Sequence, residues 1–408
     1  MNDKQKIHES TLNVESSGQQ MLDQIRSLEK ISEETVIYGL YDNSQAGLWV
    51  RFNDFLIDRS KVTVKDKSYF FHMLAVMVDA GISMYQALAA LVNRTDNLRF
   101  RRILNTLRHE VEQGKTLSAS MQRFDDVFDE SEIGIVKSGE ATGRLDQMLF
   151  KLSEKLDKRN DLNMKLWGAA IYPIVVFSVL VLVAVGMLVW IFPSLLALLA
   201  EGGVSGSALP LATRMLMYFQ NALVNYWWLI LLLAFGVYGI FVFYKGTEQG
   251  RYKLDYFWLK LPIFGPLVRK VYVLRFIDMM GMLIESGLPV IRALEITGNS
   301  MTNEIYKLNT KSLIEDVTTG QKISKNLKEV PFLFPPEVSQ MLSVGEASAS
   351  LSSVSEKISE QYGREIDNSL KKLSSIFEPV MILVVGLFVA MLALAIMAPI
   401  FNLSSTLS

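Results

Sequence analysis

Gly139-Glu140-Ala141-Thr142-Gly143-Arg144-Leu145 and Gly345-Glu346-Ala347-Ser348-Ala349-Ser350-Leu351 are the same seven positions read twice, 206 residues apart. Around them the register holds without a gap. Tyr69–Pro173 overlays Arg275–Pro379, which sets Gly81 on Gly287, Gly114 on Gly320, Phe128 on Phe334 and Pro173 on Pro379. A repeat this long is a duplicated domain, since solenoid units run to only about 20–50 residues. Each copy is a mostly polar, helix-patterned block that runs straight into a long apolar segment.

Outward from the corner, periodicity resolves about six helices per copy. Tyr69, Phe70, Met73, Leu74 and Met77 form one apolar stripe that stops at Ala80-Gly81. Glycine suits the left-handed conformation that ends a helix, so Gly81, Gly114, Gly287 and Gly320 are expected as structural turns. Ser83 can cap the next helix, and Pro289 takes that place in the second copy. Leu98–Glu112, Leu117–Phe124 and a short Ile133–Lys137 follow as helices. Gly139–Gly143 marks the corner, and no breaker then occurs from Leu145 to Gly168. Upstream, Met1–Gln20 reads as a polar tail and Met21–Ile31 as a short amphipathic helix. Val36–Tyr41 and Leu48–Phe52 read as strands of a small hairpin.

No Asp, Glu, Lys or Arg occurs in 166–200, in 215–244 or in 379–408. Each run exceeds the roughly 20 residues that span a bilayer core. The predicted fold class is all-α, with two homologous cytoplasmic six-helix bundle domains plus three transmembrane helices. The chain divides into a variable segment 1–63, a first repeat domain 64–168 and a first span 169–192. A far-side loop 193–222, a second span 223–244 and a second repeat domain 245–378 follow, then a third span 379–401 and a tail 402–408. Pro173 and Pro379 mark where the chain enters the membrane. Met1–Glu34 shows no apolar core before a cleavage site, so insertion is expected to rely on the internal spans. Lys155, Lys158, Arg159 and Lys165 precede span one and Lys245, Arg251 and Lys253 follow span two, whereas the opposite side offers only Arg214. The positive-inside rule then places both domains and the N-terminus in the cytoplasm, and the C-terminus on the far side of the membrane.

Chemistry is sparse. With no cysteine there is no disulfide, thiolate nucleophile or cysteine zinc site. The net charge of −1 argues neither for nor against nucleic acid, but no basic run with interleaved aromatics occurs, and no nucleic-acid partner is expected. Gly114-Lys115-Thr116 mimics the end of a phosphate-binding loop, but Glu110 stands where the first glycine would be required and the second copy reads Gly320-Gln321-Lys322. His8, His72 and His109 lack ligand spacing. Asp125, Asp126, Asp129, Glu130 and Glu132 form an acidic loop, read as solvated in preference to a hard-cation site. No catalytic, cofactor or metal residue is assigned. The spans carry no ionisable group, which weighs against a transporter. Gly386 and Ala390 offer a small-residue spacing for helix contact. The repeated Gly139, Glu140, Gly143, Gly345 and Glu346 have two readings. One is a structural corner, with glycine permitting the turn and Glu near a helix N-terminus. The other is a docking surface for a cytoplasmic partner.

At these residues the sequence resembles the inner-membrane platform proteins of type II secretion and type IV pilus machines. The resemblance rests on Ala80-Gly81-Ile82-Ser83 with Ser286-Gly287-Leu288-Pro289, on Gly114–Ser118 with Gly320–Ser324, on Phe334-Pro335, on the two corners, and on Tyr172-Pro173 with Glu378-Pro379. It covers about 64–403. The first copy departs with Phe128-Asp129, and Ala349 replaces the glycine expected in the second corner. Such proteins have no catalytic activity or cofactor. The resemblance implies a homo-oligomer in the bacterial inner membrane whose partners are a cytoplasmic hexameric assembly ATPase, pilin or pseudopilin subunits and other inner-membrane assembly proteins. A membrane-anchored regulatory adaptor and a small-solute transporter are the alternatives.

Overall fold

The computed structural model describes residues 37–38, 48–194, 197 and 211–406. The tail Met1–Gln20 and the helix expected at Met21–Ile31 lie outside the described residues. The described residues form helices and no strand. They begin with α1 (Leu48–Arg59), followed by the first copy: α2 (Val64–Asp79), α3 (Met84–Arg94), α4 (Leu98–Glu112), α5 (Leu117–Met121), α6 (Glu130–Thr142) and α7 (Leu145–Gly186). Between the copies come α8 (Leu211–Asn225), α9 (Trp227–Gly246) and α10 (Glu248–Lys260). The second copy comprises α11 (Gly265–Glu285), α12 (Val290–Asn299), α13 (Glu304–Thr318), α14 (Ile323–Glu329), α15 (Pro336–Ala347) and α16 (Leu351–Thr406). From the second helix of each copy onward, every helix start keeps the 206-residue offset, from Met84 with Val290 to Leu145 with Leu351.

Contacts gather the chain into two compact units, Met1–Asp161 with Met279–Ser300, and Leu162–Asp278 with Met301–Ser408. The units do not follow the repeats, because the end of α11 and the whole of α12 pack within the first unit. The first unit is centred on Phe70, Phe100 and Phe128, with Phe70–Phe100 centroids at 5.5 Å and Phe100–Phe128 at 6.2 Å. Leu283, Ala293 and Ile296 belong to the same buried cluster. In the second unit the equivalent positions are Phe276, Tyr306 and Phe334, with Phe276–Phe334 centroids at 5.1 Å and Tyr306–Phe334 at 5.5 Å. Tyr306 satisfies its buried hydroxyl by donating to the Leu333 carbonyl at 2.9 Å, as a buried polar group requires.

Among the described residues, three helical stretches are long and apolar enough to cross a membrane: Leu145–Ser194, Trp227–Gly246 and Leu351–Ala390. At about 1.5 Å per residue, α7 is about 63 Å long, twice a bilayer core. Its first turns bury Met148, Leu149, Leu152 and Leu156 in the first unit, while farther on Ile171 and Leu182 are exposed. In the second unit Leu162 and Leu166 of α7 pack beside Leu267 and Val271 of α11 and Ile366 and Leu370 of α16. No residue of α9 is buried, as expected of a helix whose neighbour is lipid.

Four expectations need correction. Leu48–Phe52 is not a strand but the first turns of α1, whose buried Asp54 takes the Arg102 guanidinium at 2.6 Å. The fifth helix is not confined to Ile133–Lys137. It starts three residues earlier at Glu130, capped by Asp129 with Glu132 completing a capping box, and it runs to Thr142, which places Gly139 and Glu140 in its last turn. The expected second span does not begin at Leu223, because α8 runs from Leu211 past the expected loop end to Asn225, the helix breaks at Tyr226, and α9 starts at Trp227. Residues 402–406 continue α16, because nothing after the apolar run stops the helix.

One pair of positions separates the copies. Lys67 Nζ donates to both oxygens of Glu132 at 2.6 and 2.8 Å, and to the Val127 carbonyl at 2.8 Å. In the second copy the same positions are Val273 and Val338, and all four residues are buried. Burial and the neighbouring Asp129 charge push the Glu132 carboxyl up to about 7, against the pull of Lys67. Asp129, although burial pushes it upward, is held below the usual carboxylate range by the Ser131 hydroxyl, Lys67 and Arg159. Removing one member of a buried ion pair costs about 3–5 kcal/mol, whereas apolar replacement of both is often neutral. Lys67→Val alone should therefore destabilise the detergent-purified chain by about 3 kcal/mol at pH 8. Lys67→Val with Glu132→Val should cost no more than about 1 kcal/mol, the worth of the lost capping bond. A raised carboxyl favours the folded state fully below its unfolded value and loses that contribution as pH rises through its folded value. The single variant's deficit should accordingly shrink from pH 8 to pH 6 as Glu132 takes up its proton, read by thermal unfolding at the two pH values.

Candidate functional site

A helix as short as α5 or α14 places most of its amides at its own N-terminus, where no intrahelical acceptor exists. Thr116 caps α5 by accepting from the Ala119 amide at 3.3 Å. The Glu140 carboxylate, half-buried in the last turn of α6, accepts from the Ser118 amide at 3.2 Å and the Ser118 hydroxyl at 2.5 Å. In the second copy the capping position is Lys322, which makes no side-chain cap. Glu346 compensates by taking both leading amides, Ile323 at 2.6 Å and Ser324 at 3.3 Å, and the Ser324 hydroxyl at 2.5 Å. A carboxylate there also meets the positive end of the helix dipole. Both glutamates thus tie the fifth helix of their copy to the fourth.

The corner itself depends on close approach. A Cβ on the buried Gly139 would stand 3.0 Å from the Leu145 Cα and the Met148 Cβ, and one on Gly345 3.2 Å from the Val354 Cβ. The helix closes with the Arg144 amide donating to the Gly139 carbonyl at 3.0 Å, and the Ser350 amide to the Gly345 carbonyl at 2.8 Å. This bond requires a left-handed residue between, and it is Gly143 at φ 70° in one copy and Ala349 at φ 49° in the other. Gly81, Gly114, Gly287 and Gly320 end their helices with the same bond pattern. In the loop that resembled a phosphate site, Lys115 follows such an ending and pairs with Glu110 at 3.3 Å.

The other candidates disperse. Asp126 pairs with Arg99, Asp129 caps α6, Glu130 meets Arg292 at 3.1 Å and Glu132 holds Lys67. His72 packs edge-on against Phe150 at 5.7 Å, and the His109 ring bonds the Gln113 amide at 2.8 Å. Among the described residues no group of His, Asp or Glu is placed to hold a metal ion. Pro173 and Pro379 lie inside α7 and α16 and interrupt neither. A Cβ on Gly386 would touch nothing within 4 Å. Sequence reading missed that Glu140 bonds Ser118 and Glu346 bonds Ser324. The available signal was that both members of the pair recur at the 206-residue offset, 22 residues apart in each copy.

Taken together, these features define a tandemly duplicated, all-helical membrane protein whose repeated polar motifs serve helix ends and corners. The family described as Type II secretion system (T2SS), protein F, matches residues 70–193 and again 276–399, and the chain belongs to that family. It is 34% identical over 345 residues to the type IV pilus assembly protein PilC of Thermus thermophilus, covering 85% of this chain and 84% of the relative. It is 31% identical over 343 residues to the protein of the same name from Myxococcus xanthus, covering 84% and 81%. It is 28% identical over 355 residues to the type II secretion system protein F of Aeromonas hydrophila, covering 86% and 90%.

Ala349→Gly should stabilise the protein by about 1 kcal/mol, because a left-handed residue with a Cβ is strained by about that amount. Gly143→Ala should lower stability by a similar amount, both read as shifts in the thermal midpoint. Removing a helix cap costs about 0.5–2 kcal/mol. Glu346→Ala should fall at the upper end and Glu140→Ala lower, since Thr116 still caps α5.

Proposed function

We propose that this chain is the inner-membrane platform of a type IV pilus or type II secretion machine. It oligomerises and couples a cytoplasmic hexameric ATPase to insertion of pilin or pseudopilin subunits, and it performs no catalytic step of its own. The observation that carries this reading is the match, over 85–86% of the chain, to relatives named for pilus assembly and for type II secretion. The absence of ionisable residues from the apolar spans is compatible with it, since their outward faces offer packing surface to apolar subunits and lipid. Both repeat domains and the N-terminus face the cytoplasm in this proposal, and the C-terminus the periplasm, supported by the basic residues that flank the spans.

The corners belong to the proposal as supports for partner docking. Glu140 and Glu346 are turned toward their own short helices, so the surface offered to a partner is the exposed edge beside them, Ala141–Arg144 and Ala347–Ala349. A photoreactive residue placed at Ala141 and, separately, at Ala347 should give adducts with the assembly ATPase in cells. Adducts restricted to other proteins, with none to the ATPase from either position, would remove the corners from the docking surface.

A further inference from the structure

The first unit contains a contact that the chain makes between its own copies. The turn after α11, together with α12, lies against α6 and the start of α7. Ile296 Cδ1 stands 3.3 Å from where a Cβ on Gly134 would sit, and Arg292 and Asn299 donate to Glu130 at 3.1 and 3.0 Å. Ser138 donates its hydroxyl to the Ser286 carbonyl, and Lys151 meets Glu285 at 2.5 Å. The two surfaces in this contact differ. One is the α11–α12 face of the second copy, the other the α6–α7 face of the first. Duplication gives each copy both faces, and the internal contact uses only one of each.

The two left over are the α2–α3 face of the first copy and the α15–α16 face of the second. Ile82 (41%), Asp79 and Ala90 are exposed on one, and Val344 (64%), Gln340 and Lys357 on the other. Carrying the internal contact across by 206 residues sets these side chains opposite one another. Lys151 with Glu285 becomes Lys357 with Asp79, so the charge match is kept. Gly134 under Ile296 becomes Gln340 under Ala90, which exchanges the large and small partners. Ser138 on Ser286 becomes Val344 on Ala80, an apolar pair in place of a hydrogen bond. The Glu130–Arg292 pair has no counterpart, because Pro336 and Gln86 stand there.

We propose that a second copy of this chain occupies these open faces, with the α2–α3 face of one chain seated on the α15–α16 face of another in the register of the internal contact. Such a contact is head-to-tail. It closes into a ring where the rotation allows and otherwise propagates as an open array. The inference rests on the platform reading only in taking the chain to self-associate, and it names the surfaces that do so.

The natural lack of cysteine makes the test direct. An Asp79→Cys chain and a Lys357→Cys chain, carrying different tags, are co-expressed and oxidised in the membrane. The expected product is a species of twice the 46.0 kDa chain mass that carries both tags. Neither single-cysteine chain should form it alone, and Lys151→Cys with Glu285→Cys in one chain should close internally as a control. Without cysteines, Asp79→Lys should lower co-purification of two tagged chains by about two- to fivefold, the range for an exposed ion pair, and Lys357→Asp on the other chain should restore it. Asp79→Cys chains linking to one another as readily as to Lys357→Cys chains would overturn the head-to-tail register. Tagged chains that co-purify without the 79–357 link would overturn the inference and leave the platform reading standing. Chains that never co-purify would overturn the inference and remove self-association from that reading.

Discussion

Unsatisfied amides at the start of a very short helix are the constraint on which each repeat depends. A five-residue helix cannot supply acceptors for its own N-terminal donors, and burying them unpaired would cost more than its few side chains return. The carboxylate of Glu140 or Glu346 answers that need from the last turn of the neighbouring helix. In doing so it holds the last turn of the fifth helix against the fourth, just before the corner. Gly139 and Gly345 then become necessary, because the helix that leaves must pass within contact distance of the one that holds the carboxylate.

Comparison of the two copies separates what the fold requires from what it tolerates. The aromatic triad, the turn glycines and the Glu–Ser pair occur in both. The buried Lys67–Glu132 pair occurs in one, with two valines in the other, so the position asks for buried volume and accepts either chemistry. The capping residue can be threonine or a non-capping lysine, provided the glutamate takes up the remaining amides. The left-handed corner residue can be alanine at the expense of backbone strain. Substitutions of this kind are readable only because the chain holds its own internal reference.

Much of this was legible in the residues alone. The gapless repeat, the charge-free runs and the helix-ending glycines gave six helices per copy and three candidate spans, since each rests on local pattern or composition. Leu48–Phe52 was misread because a short apolar run does not tell strand from helix, and the contact that anchors α1, Arg102 reaching Asp54 across 48 positions, leaves no local mark. The length of α6 was underestimated because a capping box led by Asp129 was hidden inside a run of acidic residues. The packing of α12 into the first unit left no local mark, since its apolar face looks the same whichever copy it covers.

The bare surface of α9 has a consequence for the folded state itself. None of its residues is buried, so in water its apolar side chains would meet solvent at about 25 cal/mol per Å² of exposed area. A helix so unsheltered by its own chain keeps its place only while an amphiphile stands in as its solvent. Lipid or detergent is therefore a component of the native protein, not a medium around it.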